Sequence, residues 1–229
     1  MYKHFFKRTL DILFAVLAFL FLSLVYLVLI ILVKIKLGGP VLFKQVRPGK
    51  NGKLFKLYKF RSMSNKTDEN GNLLPDEERL TNFGKKLRES SLDELPEIIN
   101  ILKGDMSFIG PRPQLVKDYV FFDKEVMERQ SVRPGLSGLA QVNGRNNISW
   151  EKKFEYDLQY VKKVTFLKDC SIFFKTIGKV FKRSDIDKDG FATDEDYGDY
   201  LLRTKLIANN VYLLKINEAN ELIRNFKWT

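Results

Sequence analysis

Between Ile12 and Val33 the chain runs for 22 residues without a charge, interrupted only mildly by Ser23 and Tyr26. A helix of that length reaches across the hydrocarbon core of a bilayer, so this segment decides where the rest of the molecule must sit. Lys34, Ile35 and Lys36 follow it where a signal peptide would show small residues before a cleavage point, and the segment is expected to be retained. Lys3, Lys7 and Arg8 precede it, so both flanks are basic and the positive-inside bias sets no orientation. Two arrangements fit. A plain spanning helix satisfies its own backbone. A helix that enters one leaflet and turns back would put both basic flanks on one side, and Ser23, whose hydroxyl can bond a carbonyl one turn back, is the residue best suited to such a break.

The charge distribution supports a membrane setting. Up to Arg61 there are twelve lysines and arginines against one acid, Asp11, whereas the remaining chain is balanced at 27 of each sign. A basic, apolar front on a neutral body suits anionic phospholipid, and no zinc-finger or aromatic RNA-binding pattern argues for nucleic acid. The single cysteine, Cys170, and the single histidine, His4, exclude an intramolecular disulfide and a Cys/His zinc set, which fits a reducing compartment. With 45% apolar and 29% charged residues the body is expected to fold around a core.

Gly38, Gly39 and Pro40 end the apolar segment. Residues 41–45 read as a short strand, 48–52 as a turn, and 54–63 as a second strand that puts Leu57, Lys59 and Arg61 on one face. Residues 64–78 read as a mobile polar loop. Helices are expected at 80–88, 94–103, 114–130, 150–162 and 168–182, with Gly104 stopping the second. Two rigid arginine-bearing loops lie between them, at 110–113 and 133–138.

Ser90-Ser91-Leu92-Asp93-Glu94-Leu95-Pro96 places two adjacent carboxylates where a helix begins. With Asp93 as N-cap, Pro96 falls at the third helical position, and a capped helix start without chemistry accounts for the pattern. Against that plain reading stand the arginines delivered on short, restricted segments: Arg88 just before the acids, and Arg112, Arg133 and Arg145 beside prolines or Gly144. Guanidinium forks recognise phosphate bidentately, and several around a carboxylate pair point to phosphoryl chemistry with an Asp nucleophile and a divalent cation. Neither the Walker lysine loop nor the three-glycine dinucleotide fingerprint is present.

Lys59-Phe60-Arg61-Ser62-Met63, Ser91 to Pro96, Lys103 to Pro113 and Arg133 to Arg145 resemble the motifs of the bacterial sugar transferases, the small monotopic phosphoglycosyl transferases, over about residues 1–200. The resemblance is particularly close to members that transfer N,N′-diacetylbacillosamine 1-phosphate, with galactose, glucose or N-acetylhexosamine phosphates handled by near relatives. It implies a mainly α fold with a small β element: a re-entrant membrane helix (1–37) packed with a single cytoplasmic α/β globular domain (38–200) and interfacial amphipathic helices, followed by a helical extension (201–229) of unassigned role. The implied reaction moves a sugar 1-phosphate from a UDP-sugar to undecaprenyl phosphate and releases UMP, at the cytoplasmic face of the bacterial inner membrane. The family's Asp-Glu dyad falls on Asp93, as nucleophile and ligand of Mg²⁺, and on Glu94, as base or positioning group. Lys59, Arg61, Arg88, Arg112, Arg133, Gln141, Arg145 and Asp157 match positions implied to bind substrate; for Lys59, Arg61 and Asp157 a structural ion pair is the alternative. At the membrane break the family carries Ser-Pro, whereas Ser23 here is followed by Leu24. A homo-oligomer is compatible with all of this. The rival of another class is a membrane-tethered protein that binds nucleotide or anionic lipid without turnover. Asp185 to Gly190 imitates the start of a calcium loop, but Asp196 stands where the closing Glu belongs, and no calcium is expected.

Overall fold

The computed structural model describes residues 1–144, 147–182 and 195–227. Arg145 and the calcium-like stretch 185–190 lie outside them. The long apolar run forms two helices, α1 (Lys7–Phe21) and α2 (Ser23–Leu37), bent by 64° at Leu22. No single helix among the described residues is long and apolar enough to cross a membrane; the bent pair together is. Leu22 leaves helical geometry (φ −91°, ψ 4°), yet its N–H still reaches Ala18 O and its carbonyl still accepts from Tyr26 N, so the bend is made without stripping the backbone. Ser23 opens α2, but its hydroxyl does not cap that helix.

A hairpin follows, β1 (Leu42–Pro48) and β2 (Leu54–Phe60), antiparallel with Leu42 opposite Phe60 and Pro48 opposite Leu54. β1 therefore runs through Pro48, which the sequence assigns to the turn, and β2 stops at Phe60. Arg61 has left the strand. Its guanidinium turns to carbonyls at and just beyond the end of α2, bonding Leu37 O and, at 2.9 Å, Gly39 O; a helix C-terminus presents carbonyls without partners. Lys59 and Arg61 consequently point to different places. The polar segment 64–78 is tied back on itself by bonds such as Ser64 N–H to Arg79 O, and contains the short α3 (Asp76–Arg79).

Thr81 caps α4 (Asn82–Glu89) by accepting from Gly84 N. A 3₁₀ turn, Leu92–Glu94, leads to α5 (Glu97–Lys103), and Pro96, not Asp93, occupies the N-cap of that helix. Beyond Gly104 come β3 (Ser107–Ile109), α6 (Val116–Tyr119), α7 (Lys124–Met127), β4 (Gly135–Ser137), α8 (Leu139–Val142), α9 (Trp150–Lys162) and α10 (Phe166–Lys182). The single helix expected over 114–130 is thus broken, because Asp123 caps a new start by accepting from Val126 N at 2.8 Å. β3 and β4 pair in parallel, so closely that a Cβ on Gly135 would meet Gly110 N at 2.1 Å. α11 (Tyr197–Arg203) crosses the expected boundary at residue 200, and α12 (Asn209–Arg224) lays Ala219 and Leu222 on Val46, Val116 and Val120.

The bent pair is built into the body. Ala15 of α1 packs with Phe55, Leu57, Ile98, Ile101 and Met106, and Tyr26, Leu29 and Val33 of α2 pack with Phe60 and Leu87. Their opposite faces carry Phe14, Leu20, Phe21, Leu24, Leu27 and Ile35 in the open, a contiguous apolar patch of the kind that marks an interaction surface.

Candidate active site

The turn Leu92–Glu94 bridges α4 and α5, and Ser91 enters it with a left-handed backbone (φ 56°). With about three residues per turn, the 3₁₀ geometry points the two adjacent acids in different directions. Glu94 projects into a cluster of cations: its Oε1 accepts from Lys59 Nζ at 2.7 Å and from Arg112 Nη2 at 2.5 Å. Lys59 Nζ also lies 3.3 Å from Glu97 Oε1, one turn further on and 1% exposed. Burial opposes ionisation of Glu94, but the charges and hydrogen bonds of Arg112 and Lys59 outweigh it and hold the group well below the usual carboxylate range. Glu97 has weaker support; burial, opposed by Lys59 and reinforced by Glu94, pushes it up to about 7.

Asp93 is buried with no hydrogen bond or ion pair among the described residues. Burial first and the Glu94 charge second raise its pKa, against the pull of Lys59, Arg88 and Arg112. The expectation that Asp93 caps a helix is therefore corrected, since the N-cap is Pro96, and the positive potential around Asp93 comes from side chains instead. Arg88 contributes to that potential while its Nε donates to Ser62 Oγ at 2.9 Å.

A cavity of about 300 Å³ opens beside Glu94 and Arg112. Its walls are chiefly apolar, with Leu22 from the bend between α1 and α2, Phe108, Leu136, and Phe173 and Val180 from α10. Gln141 lines it; its Nε2 reaches Leu136 O at 3.4 Å, and its Oε1 is buried without a partner.

The residue pattern matches the model of the family described as bacterial sugar transferase over residues 2–183. The chain belongs to the bacterial sugar transferase family. It is 46% identical over 191 residues to an uncharacterised sugar transferase, EpsL, of Bacillus subtilis (strain 168), covering 83% of this chain and 95% of that one. It is 41% identical over 181 residues to the UDP-N-acetylgalactosamine-undecaprenyl-phosphate N-acetylgalactosaminephosphotransferase of Aeromonas hydrophila, and 40% over 187 to the UDP-glucose:undecaprenyl-phosphate glucose-1-phosphate transferase of Escherichia coli (strain K12). Each covers 76% of this chain, which spans only 43% and 40% of those two longer proteins.

In this sugar transferase the other residues singled out by sequence lie further from the dyad. Arg133 donates from Nε to Gly104 O at 2.8 Å, at the opposite end of α5 from Asp93. Asp157 is paired with Arg129, whose Nη2 and Nε reach its Oδ2 at 2.6 and 3.0 Å. Glu97, Arg47 and Arg129 were not singled out by sequence. Glu97 was within reach of such reasoning: it stands four residues after Asp93, and Ile98 and Ile101 mark the buried side of the same helix. Arg47 and Arg129 sit in no motif, and no local signal distinguishes them from solvated charges.

A divalent cation can be tested against this donor set. Among the described residues no group of three His, Cys, Asp or Glu could hold a metal, and Glu94 is already engaged by two cations. Mg²⁺ needs less, since it is commonly held by one or two carboxylates together with substrate phosphates and water. The unpartnered carboxylate of Asp93 fits that use.

Proposed function

We propose that this sugar transferase moves a sugar 1-phosphate from a UDP-sugar to undecaprenyl phosphate and releases UMP, through a covalent intermediate on Asp93. The observation that carries this reading is the contrast within the dyad: Glu94 is fixed between Lys59 and Arg112, while the buried carboxylate of Asp93 has no hydrogen bond or ion pair among the described residues. An Asp oxygen attacks the β-phosphorus, the bond from that phosphorus to the oxygen bridging to the α-phosphate breaks, and UMP leaves. An oxygen of undecaprenyl phosphate then attacks the same phosphorus and frees Asp93. Neither attack, by a carboxylate or by a phosphate oxygen, requires Glu94 to take up a proton, and its low pKa suits positioning rather than base catalysis. Arg112 and Lys59 offer a preset positive field where negative charge gathers in the transition state. Mg²⁺ held by Asp93 and the diphosphate would reduce the repulsion between the two anions. The apolar cavity beside Arg112 suits an isoprenoid acceptor.

The membrane reading has its own support. The N-terminal end of the bent pair is bound to the body by Arg8, which bonds Ile101 O at 2.6 Å and Leu102 O at 3.0 Å, and by Asp11, which accepts from Ser107 Oγ and Phe108 N. The other end is bound by Arg61, and the Tyr26 hydroxyl reaches Leu95 O at 2.5 Å. A segment anchored to one body at both ends enters and leaves the bilayer on one side. That side is the cytoplasmic face, where UDP-sugars are and where the basic flanks belong.

The test is UMP release by protein held in nanodiscs, with Mg²⁺ and undecaprenyl phosphate, across a panel of UDP-sugars. Lipid-dependent release with one donor supports the reading and names the sugar. A folded protein that binds nucleotide yet releases nothing from any donor would replace it with a membrane-tethered binding protein.

A further inference from the structure

The segment that carries Arg112 is held at four successive residues. Gly110 donates its N–H to Ser137 O at 2.9 Å, and Pro111 O accepts from Gly135 N at 2.9 Å. The next two carbonyls are gripped by side chains: Arg112 O accepts from Arg129 Nη2 at 2.8 Å, and Pro113 O from Arg47 Nη1 at 3.1 Å. Neither arginine lines the cavity or makes an ion pair with the dyad.

We propose that Arg47 and Arg129 are positioning residues, which grip the Pro113 and Arg112 carbonyls so that the Arg112 guanidinium is aimed at Glu94 before substrate arrives. The proposal rests on the reading of the dyad as the reaction centre. Arg129 is fixed for the task. It is 2% exposed, its Nε and Nη2 share Asp157 Oδ2, and its guanidinium lies over the Phe122 ring, 5.4 Å from the centroid. Asp157 thus serves the site through Arg129. Arg47 is held by Gln45 Oε1 at 2.7 Å, and its Nε is buried without a partner. Burial and the neighbouring Arg112 charge both disfavour a cation there, lowering Arg47 to about 10. A second guanidinium beside Arg112 is costly to bury for stability alone; here it holds a carbonyl, and the charges of Asp118, Glu97 and Glu94 favour it.

The experiment measures the single-turnover rate of covalent labelling from a radiolabelled UDP-sugar in nanodisc-held protein. Arg47→Met and Arg129→Lys are made alone and on an Arg112→Lys background, with thermal melting as a check of folding. If the arginines act through Arg112, each slows labelling about ten- to a hundredfold in the wild-type background, since small misplacements of a charge-stabilising group carry penalties of that size. On the Arg112→Lys background each changes the rate less than about twofold, because the interaction it supports is already gone. Equal slowing in both backgrounds, or no slowing in the wild type, overturns the proposal; Arg129→Lys decides it should Arg47→Met fail to fold. Were the wild-type protein to form no adduct, the reading of Asp93 would fall by itself. The grip is then judged by hydrogen exchange in residues 107–118, which accelerates in both variants if the grip exists and stays unchanged if it does not.

Discussion

Asp93 and Asp169 are buried to nearly the same degree, 8% and 6% exposed, yet their surroundings are opposite. Asp169 is engaged at both oxygens: Tyr2 Oη at 2.7 Å and Lys7 Nζ at 2.5 Å reach one, and Tyr160 Oη at 2.8 Å reaches the other. Those donors tie the N-terminal segment to α10. Asp93 has the charges of Lys59, Arg88 and Arg112 near it and, among the described residues, none in contact. A carboxylate held at both oxygens is a joint, and one left open in a cationic setting is poised for an external group. The desolvation that Asp93 suffers is offset only at a distance, which leaves its oxygens free.

The sharpest way to break this comparison is to replace each acid by its amide. Asp93→Asn should abolish the radiolabelled adduct and lipid-dependent UMP release, while leaving the melting temperature unchanged or raised, because a buried ionisable group without partners is lost. A persisting adduct would remove Asp93 as nucleophile. Asp169→Asn should do the reverse. Lys7 would keep its partly buried charge without an anion, which costs about 2–4 kcal/mol, and the surviving folded fraction should still label on Asp93. A melting temperature unaffected by Asp169→Asn would show that the joint does not carry load.

Glu94→Gln tests the other member of the dyad. The amide still accepts a hydrogen bond, but no longer offsets the charges of Lys59 and Arg112. We expect labelling of Asp93 to slow about a hundredfold, a typical penalty for disturbing preset electrostatic stabilisation. The slowing should persist across pH, as Glu94 is ionised throughout the working range. A loss rescued at high pH would restore Glu94 to the role of a base.

Much of this was legible in the sequence for identifiable reasons. The bend at Leu22–Ser23 fell where a polar residue interrupts a long apolar run, and the hairpin followed from Gly-Pro punctuation and alternation. The dyad lay in one motif and Arg112 in another, whose Gly110 is fixed by backbone contact with Gly135. The departure of Arg61 from the strand was not legible, because what draws it away is a pair of carbonyls at the end of α2. The Asp93 N-cap failed for a related reason. The positive φ at Ser91 turns the chain into a 3₁₀ step before α5 begins, and nothing in a non-glycine sequence announces that turn.

A smaller effect separates the two regions by pH. Glu97, one turn from the dyad, has its pKa raised from 4.5 to about 7, and burial raises Asp93 as well. The folded protein therefore holds protons that the unfolded chain releases. The resulting stability is fully present below the unfolded carboxylate range and is lost as pH rises through about 7. Thermal melting between pH 5 and 8 should show a decline of the order of 1–3 kcal/mol, and Glu97→Gln should flatten it. A decline unchanged in Glu97→Gln would move its origin to another buried acid, such as Asp118, which burial raises to about 6.

The smallest expected effect concerns what makes the membrane bend. Arg8, Asp11 and the Asp169 joint hold α1 against the body, and Arg61 and Tyr26 hold α2. If these contacts fix the 64° angle, the chain does not need proline at the break. Leu24 is the second residue of α2, within the first turn, where a proline is tolerated because an N–H there is least needed. Leu24→Pro should thus alter stability by less than about 0.5 kcal/mol, or about 2 °C in Tm. It should also leave a Lys3→Cys reporter unlabelled from the periplasmic side. On the Asp169→Asn background, where one contact is gone, the same substitution should have more to contribute and raise the melting temperature. A large stabilisation already in the wild type would mean that the bend is set locally and that the contacts merely follow it.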